Sequence, residues 1–188
     1  MRYLILAATL ALVSACSTGP KVRVDQDPSA NFSSYRTYNF APDPGTDRAG
    51  YSTLVTTHFK NAVGREMESR GYVRADNPDL LVNFFTRVRE RTEVQSTPEP
   101  SFGVGYYRDR LGLYSAWPLY RRSNVTTNTY EVGLANIDVV DAKRKQLVWE
   151  GSAEGRVTDK MRDDPGPAIS DAVAKIFEKY PARAGSAP

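Results

Sequence analysis

The chain has 188 residues, 40% of them apolar and 25% charged, with a formal net charge of +3. That suits one compact domain and supplies enough apolar side chain for a core, so wholesale disorder is excluded. One cysteine and one histidine exclude a disulfide framework, a cysteine-rich zinc module and any multi-histidine metal site, and the near-balanced charge is not that of a dedicated nucleic-acid binder.

The first element in the chain is an export signal. Arg2 is the only charge in the first 20 residues, and Tyr3 to Val13 is an apolar run of eleven. That is the size of a signal-peptide core, whereas a membrane span needs about 20 residues. Val13-Ser14-Ala15-Cys16 resembles the bacterial lipoprotein processing box. The resemblance implies cleavage between Ala15 and Cys16, a thioether from Cys16 to diacylglycerol, and acylation of the new amino terminus. The chemistry fits: small residues let a narrow peptidase groove take extended backbone, and a thiol is the nucleophile that lipid transfer needs. Each buried CH₂ contributes about 0.8 kcal/mol, so two or three chains hold a domain stably. In proteins with this box an Asp after the cysteine favours the inner membrane. Here Ser17 follows, which implies the outer membrane, with the domain facing the periplasm. The domain plan is therefore a signal peptide over 1–15, a lipidated cysteine and tether over 16–21, a single domain over 22–181, and a flexible tail over 182–188. Five residues of tether, Ser17 to Lys21, reach at most about 18 Å.

Val22 and Val24 alternate with charged residues and predict a short strand, broken by Asp27-Pro28-Ser29. Tyr35 to Phe40, aromatic and Thr-rich, is a second strand. The Pro- and Gly-bearing stretch from Ala41 to Gly50 is a loop. From Ser52 to Arg70 the period changes: Val55, Phe59, Ala62, Val63 and Met67 share one helical face. Ser52 or Thr53 is its cap and Gly71 its left-handed stop. After the turn Asn77-Pro78-Asp79, Leu80 to about Glu93 reads as a long strand. Residues 93–128 show no stable period and are expected to form a long loop. Thr129 to Val140 and Gln146 to Val157 are strands joined by a hairpin loop over Asp141 to Lys145. A last helix begins around Asp163 to Pro167, carries the stripe Ile169, Ala172, Val173, Ile176, Phe177 and Tyr180, and stops at Pro181.

Two amphipathic helices need a sheet face to cover. The expected fold is α+β: a mixed, mostly antiparallel sheet of four or five strands, with both helices packed on one face. The helix between the second and third strands permits a parallel crossover.

Several phrases of this chain resemble a family of bacterial envelope lipoproteins, the domain of unknown function 4136. They are Asn31-Phe32-Ser33-Ser34-Tyr35-Arg36-Thr37-Tyr38, Arg70-Gly71-Tyr72, Asn77-Pro78-Asp79-Leu80-Leu81-Val82, Val140-Asp141-Ala142-Lys143, Leu147 to Ala153 with Trp149 inside it, and the closing helix from Ile169 to Pro181. They cover roughly residues 20 to 182 in order. The resemblance implies an α+β domain, and no activity or catalytic residue comes with it.

The segment from Tyr106 to Arg122 holds four Tyr, one Trp and four Arg against one Asp. Aromatic faces beside guanidinium groups suit sugar rings, anionic headgroups or protein hot spots. Tyr106, Tyr107, Arg108, Arg110, Tyr114, Trp117, Tyr120, Arg121 and Arg122 therefore form a candidate binding loop. The bland alternative is a loop that folds back onto the sheet. Arg87, Arg89 and Arg91 alternate on one strand face and could join it in a basic patch; as a solvated edge they would instead guard against aggregation. His58 lies one position off the helical stripe and reads as a boundary residue rather than a ligand. Asp25-Gln26-Asp27 and Asp163-Asp164 lack a calcium loop's ligand ladder and read as a turn and a helix start. No nucleophile elbow or phosphate-binding glycine pattern occurs.

The composite reading is a lipid-anchored outer-membrane protein with a non-catalytic interaction or structural domain. It needs no cofactor, metal or nucleic acid. Its expected partners are the membrane through the lipid, and peptidoglycan, anionic lipid or an envelope protein. The alternative is an envelope hydrolase that lacks a recognisable motif.

Overall fold

The computed structural model describes residues 19–48, 52–99, 104–108, 114–118 and 122–185. The strands are β1 (Lys21–Gln26), β2 (Thr37–Phe40), β3 (Val73–Arg74), β4 (Leu80–Glu99), β5 (Val104–Arg108), β6 (Tyr114–Pro118), β7 (Arg122–Asp141) and β8 (Gln146–Arg156). The helices are α1 (Leu54–Ser69), α2 (Asp159–Asp163) and α3 (Pro165–Phe177). Six strands make one sheet in the order β1-β8-β7-β4-β2-β3, and β5 pairs with β6 in a separate hairpin. The β1–β8, β8–β7 and β7–β4 pairs are antiparallel, while β4–β2 and β2–β3 are parallel. The class is α+β as expected, with six strands where four or five were anticipated. The extra one, β3, is two exposed residues, too short to leave a sequence period.

The larger correction concerns residues 93–128. They are not one long loop: β4 runs to Glu99, β7 starts at Arg122, and β5 and β6 lie between. β4 and β7 pair without a slip from Leu80↔Asp141 to Glu99↔Arg122. Residues 92–97 and 125–129 are exposed on both faces, so burial imposes no apolar alternation, the usual strand signal, there. Pairing with the partner strand makes it β.

α1 and α3 lie side by side on one sheet face, where the core sits. Leu80, Val82 and Phe84 of β4, Ile137 and Val139 of β7, and Val148 and Trp149 of β8 meet Phe59, Val63 and Met67 of α1 and Val173, Ile176 and Phe177 of α3. Phe59 stacks on Phe84 with ring centroids 5.0 Å apart. α1 starts where Thr53 accepts a hydrogen bond from the Thr56 N–H, and Gly71 follows its end at φ 86°. That left-handed conformation costs glycine little.

The phrases that carry the family resemblance act here as fasteners. Asp79 Oδ2 accepts from the Arg36 N–H (3.0 Å), the Thr37 N–H (3.1 Å) and the Thr37 hydroxyl (3.0 Å), tying the start of β4 to β2. The Tyr35 hydroxyl donates to Asp141 Oδ2 at 2.9 Å, and Asp141 Oδ1 accepts from the Lys143 and Arg144 N–H groups, closing the β7–β8 turn. Asn31 Oδ1 accepts from the Ser33 N–H and hydroxyl.

The backbone N–H of Arg36, with further donors on Thr37, holds the Asp79 carboxyl below its ordinary range despite partial burial. A depressed folded value means the stabilisation is present above the unfolded pKa of about 3.9 and disappears as pH falls through the folded value. Asp79→Ala is expected to cost about 1–3 kcal/mol at pH 7, because it strands these donors. The gap from wild type should narrow as pH falls below the unfolded value of about 3.9, as read by urea unfolding at pH 7 and in acid. An equal gap at both would contradict the assignment.

Candidate functional site

The sheet narrows toward one end. β2 pairs with β4 only over Leu80–Val82, and β8 pairs with β7 only over Val132–Asp141. Beyond these limits β4 and β7 continue as a two-stranded ribbon, from Arg91↔Tyr130 to Glu99↔Arg122. Among the described residues no further strand pairs with either edge of the ribbon. Residues Thr92 to Thr97 and Val125 to Thr129 are exposed and mostly polar, with hydroxyls of Thr92 and Thr129 meeting across the strands at 3.3 Å. Val88, Val94 and Val125 are exposed apolar residues, and the register puts all three on the face that, further down, carries the helices. An unprotected edge of this length is a template for another strand.

The aromatic segment lies at the far end of this arm. Tyr106, Tyr107 and Arg108 fall on β5, Tyr114 and Trp117 on β6, and Arg122 opens β7 opposite Glu99. The register sets Tyr106 opposite Ala116, Tyr107 opposite Ser115, Arg108 opposite Tyr114, and Gly105 opposite Trp117. Arg110, Tyr120 and Arg121 lie outside the described residues, as do Ala15 and Cys16.

The sheet face opposite the helices is polarised. Toward the arm it gathers Arg87, Arg89 and Arg91 of β4 with Lys21 and Arg23 of β1 and Arg156 of β8. Glu154 serves two of them, at 3.0 Å from Arg89 and 3.9 Å from Arg91. The Arg156 guanidinium lies 4.1 Å from the Tyr130 ring centroid. Lys21, Arg91, Tyr130, Glu154 and Arg156 line an open cleft that also touches Gly19, Glu93, Val132 and Gly155. Toward the other end, Asp25, Glu150 and Asp138 occupy one cross-strand row. Burial, with the Glu150 carboxylate beside it, pushes the Asp138 carboxyl up. Asn136 Nδ2 donates to it at 2.6 Å.

Arg87, Arg89 and Arg91 thus share a face as their alternation suggested. What brings Lys21, Arg23 and Arg156 to them is strand order, with β1 beside β8. A two-residue alternation in β1 shows that two cations share a side but not which distant strand they will meet.

A second cleft lies at the ends of α1 and α3, lined by Glu66, Arg70, Glu178 and Arg183 among others. Arg70 pairs with Glu66 at 2.6 Å and donates to the Phe177 carbonyl, also at 2.6 Å, so it fastens the two helix ends. His58 is half-buried on α1, at the boundary where its sequence position put it, packed beside Gly166. Asp27 accepts from the Ser29 N–H and hydroxyl and closes a turn. Among the described residues no group of three or more His, Cys, Asp or Glu could hold a metal ion, and no helix is long and apolar enough to cross a membrane.

The model of the domain of unknown function DUF4136 matches residues 22–182. No curated protein matches the chain. Among solved structures, a PDZ domain protein from Parabacteroides distasonis superposes with a TM-score of 0.55 at 16% identity, over 87% of this chain and 37% of that one. The chain thus spans about a third of that relative, and the likeness is one of fold. Two PelC dodecamer structures from Paraburkholderia phytofirmans give TM-scores of 0.44 and 0.46 at 13% and 12% identity. They cover 87% and 88% of this chain and 98% and 99% of theirs.

Proposed function

Since the chain belongs to the DUF4136 family, whose description names no activity, we propose a function from its own geometry: a lipid-anchored outer-membrane lipoprotein whose periplasmic domain is a non-catalytic interaction module. The observation that carries the interaction reading is the arm. Twenty-residue strands β4 and β7 outrun the sheet that holds them. A ribbon of that length adds little to the core and exposes two rows of backbone donors and acceptors. The kind of partner it fits is an envelope protein that adds a strand to one edge. The aromatic and arginine-rich hairpin at its end supplies side chains suited to a hot spot. Anchoring rests on Cys16 within its processing box, and the outer membrane on Ser17 after it.

The test keeps the core and removes the arm. Residues 94–127 are replaced by Asn-Gly, which closes the Glu93↔Asn128 pair with a two-residue hairpin turn. Thermal unfolding should change little, because residues 94–97 and 125–127 are exposed. Crosslinking in intact envelopes should then lose adducts that the wild type forms. Identical adduct patterns would refute the arm as the interaction element.

A further inference from the structure

We propose that the arm-proximal sheet face opposite the helices is a docking surface for the phosphate groups of an anionic phospholipid leaflet. The proposal rests on the lipid-anchor reading and adds to it how the domain sits on its membrane.

Three observations converge. Lys21, Arg23, Arg87, Arg89, Arg91 and Arg156 come from three strands onto one face, and all six are exposed. Glu154 and Glu93 are the acidic residues among them. The pairs with Glu154 leave the Arg89 and Arg91 side chains 62% and 60% exposed, so their charge is still offered to solvent. The second observation is where the chain enters. β1 begins at Lys21, and Pro20 packs so closely on Gly155 that a Cβ there would lie 3.3 Å from it. Gly19 lines the same basic cleft. Cys16 is three residues earlier, a span of about 11 Å at most. With Gly19 at its rim, the cleft is held by the lipid within about one Debye length of the headgroups. The third is polarity: the carboxylates of Asp25, Glu150 and Asp138 sit at the opposite end of the face, so an anionic surface attracts one end and repels the other.

The geometry also orients the arm. From Tyr130 to Arg122 the ribbon spans about 26 Å, longer than the tether can reach. A polar ribbon cannot enter hydrocarbon with unpaired edges. Docked in this way, it lies along the bilayer surface, with its free edges turned toward neighbouring proteins.

The test uses the acylated protein purified from membranes and reconstituted in vesicles. An environment-sensitive fluorophore is placed on Glu93→Cys, beside the basic cleft, or on Asp171→Cys, on the exposed side of α3. The native cysteine, being lipidated, does not compete for label. Headgroup-attached quencher in vesicles of phosphatidylglycerol and phosphatidylcholine should quench the Glu93 label several-fold more than the Asp171 label. The difference should shrink in pure phosphatidylcholine, in about 0.5 M salt, and in the triple variant Arg87→Gln, Arg89→Gln, Arg91→Gln. Each cation near an anionic leaflet is worth about fivefold in partition. Lys21→Gln with Arg23→Gln is a second route that leaves β4 untouched. Equal quenching at both labels in acylated protein overturns the docking surface alone. Purified protein with an unmodified thiol at residue 16 overturns the anchor and the docking together.

Discussion

Trp149→Ala is expected to cost about 3–5 kcal/mol, the range for deleting a buried aromatic. Trp149 is 1% exposed and is the largest fully buried side chain among the described residues. It sits on β8 between β1 and β7, opposite Gln26 and Val139. Its ring centroid is 5.7 Å from that of Phe177 and 5.0 Å from that of Tyr180. It therefore joins the sheet to the end of α3 and to the segment that α3 turns into. Gly151, two residues on, makes room for it. A Cβ at Gly151 would lie 2.4 Å from Trp149 Cη2 and 2.4 Å from Ile176 Cγ2, so Gly151→Val should also destabilise, by overpacking the same contact. A domain of this size has about 5–15 kcal/mol in total. The Trp149→Ala loss should lower the melting temperature by about 10 °C or more, in thermal unfolding followed by circular dichroism. A loss under 1 kcal/mol would mean that α3 stands off the sheet.

The second large effect is chemical. Cys16→Ala removes the sole thiol of the chain, and with it the only group that can carry a thioether-linked diacylglycerol. The variant should take up no radioactive palmitate and should accumulate as the unprocessed precursor. With two or three acyl chains lost, stable retention at the membrane should be lost as well. Wild-type labelling and fractionation of this variant would refute the anchor.

The sequence made the core legible and the arm illegible, for one physical reason. α1, α3 and the start of β4 each bury one face, and burial writes a period into the chain: Phe59, Val63 and Met67 on α1, Val173, Ile176 and Phe177 on α3, and Leu80, Val82 and Phe84 on β4. From Thr92 onward β4 buries neither face, so nothing selects apolar residues at alternate positions. The strand there is specified by its ladder to β7. β3 escapes notice because Val73 and Arg74 are both exposed. The phrases shared with the family proved structural in detail: Asp79 and Asp141 hold turns and strand starts, Gly71 ends α1, and Trp149 fills the core. The basic face was half legible. Alternating arginines on β4 were visible, whereas the cations of β1 and β8 reach them only through the pairs Lys21↔Glu154, Val132↔Arg156 and Arg89↔Val132.

The intact mass of the protein extracted from cell envelopes tests the proposed anchor most directly. A chain beginning at residue 16 and carrying the added mass of diacylglycerol and an amide-linked acyl group is the predicted result. A chain that retains Met1, or that begins elsewhere with a free thiol or none, would contradict it.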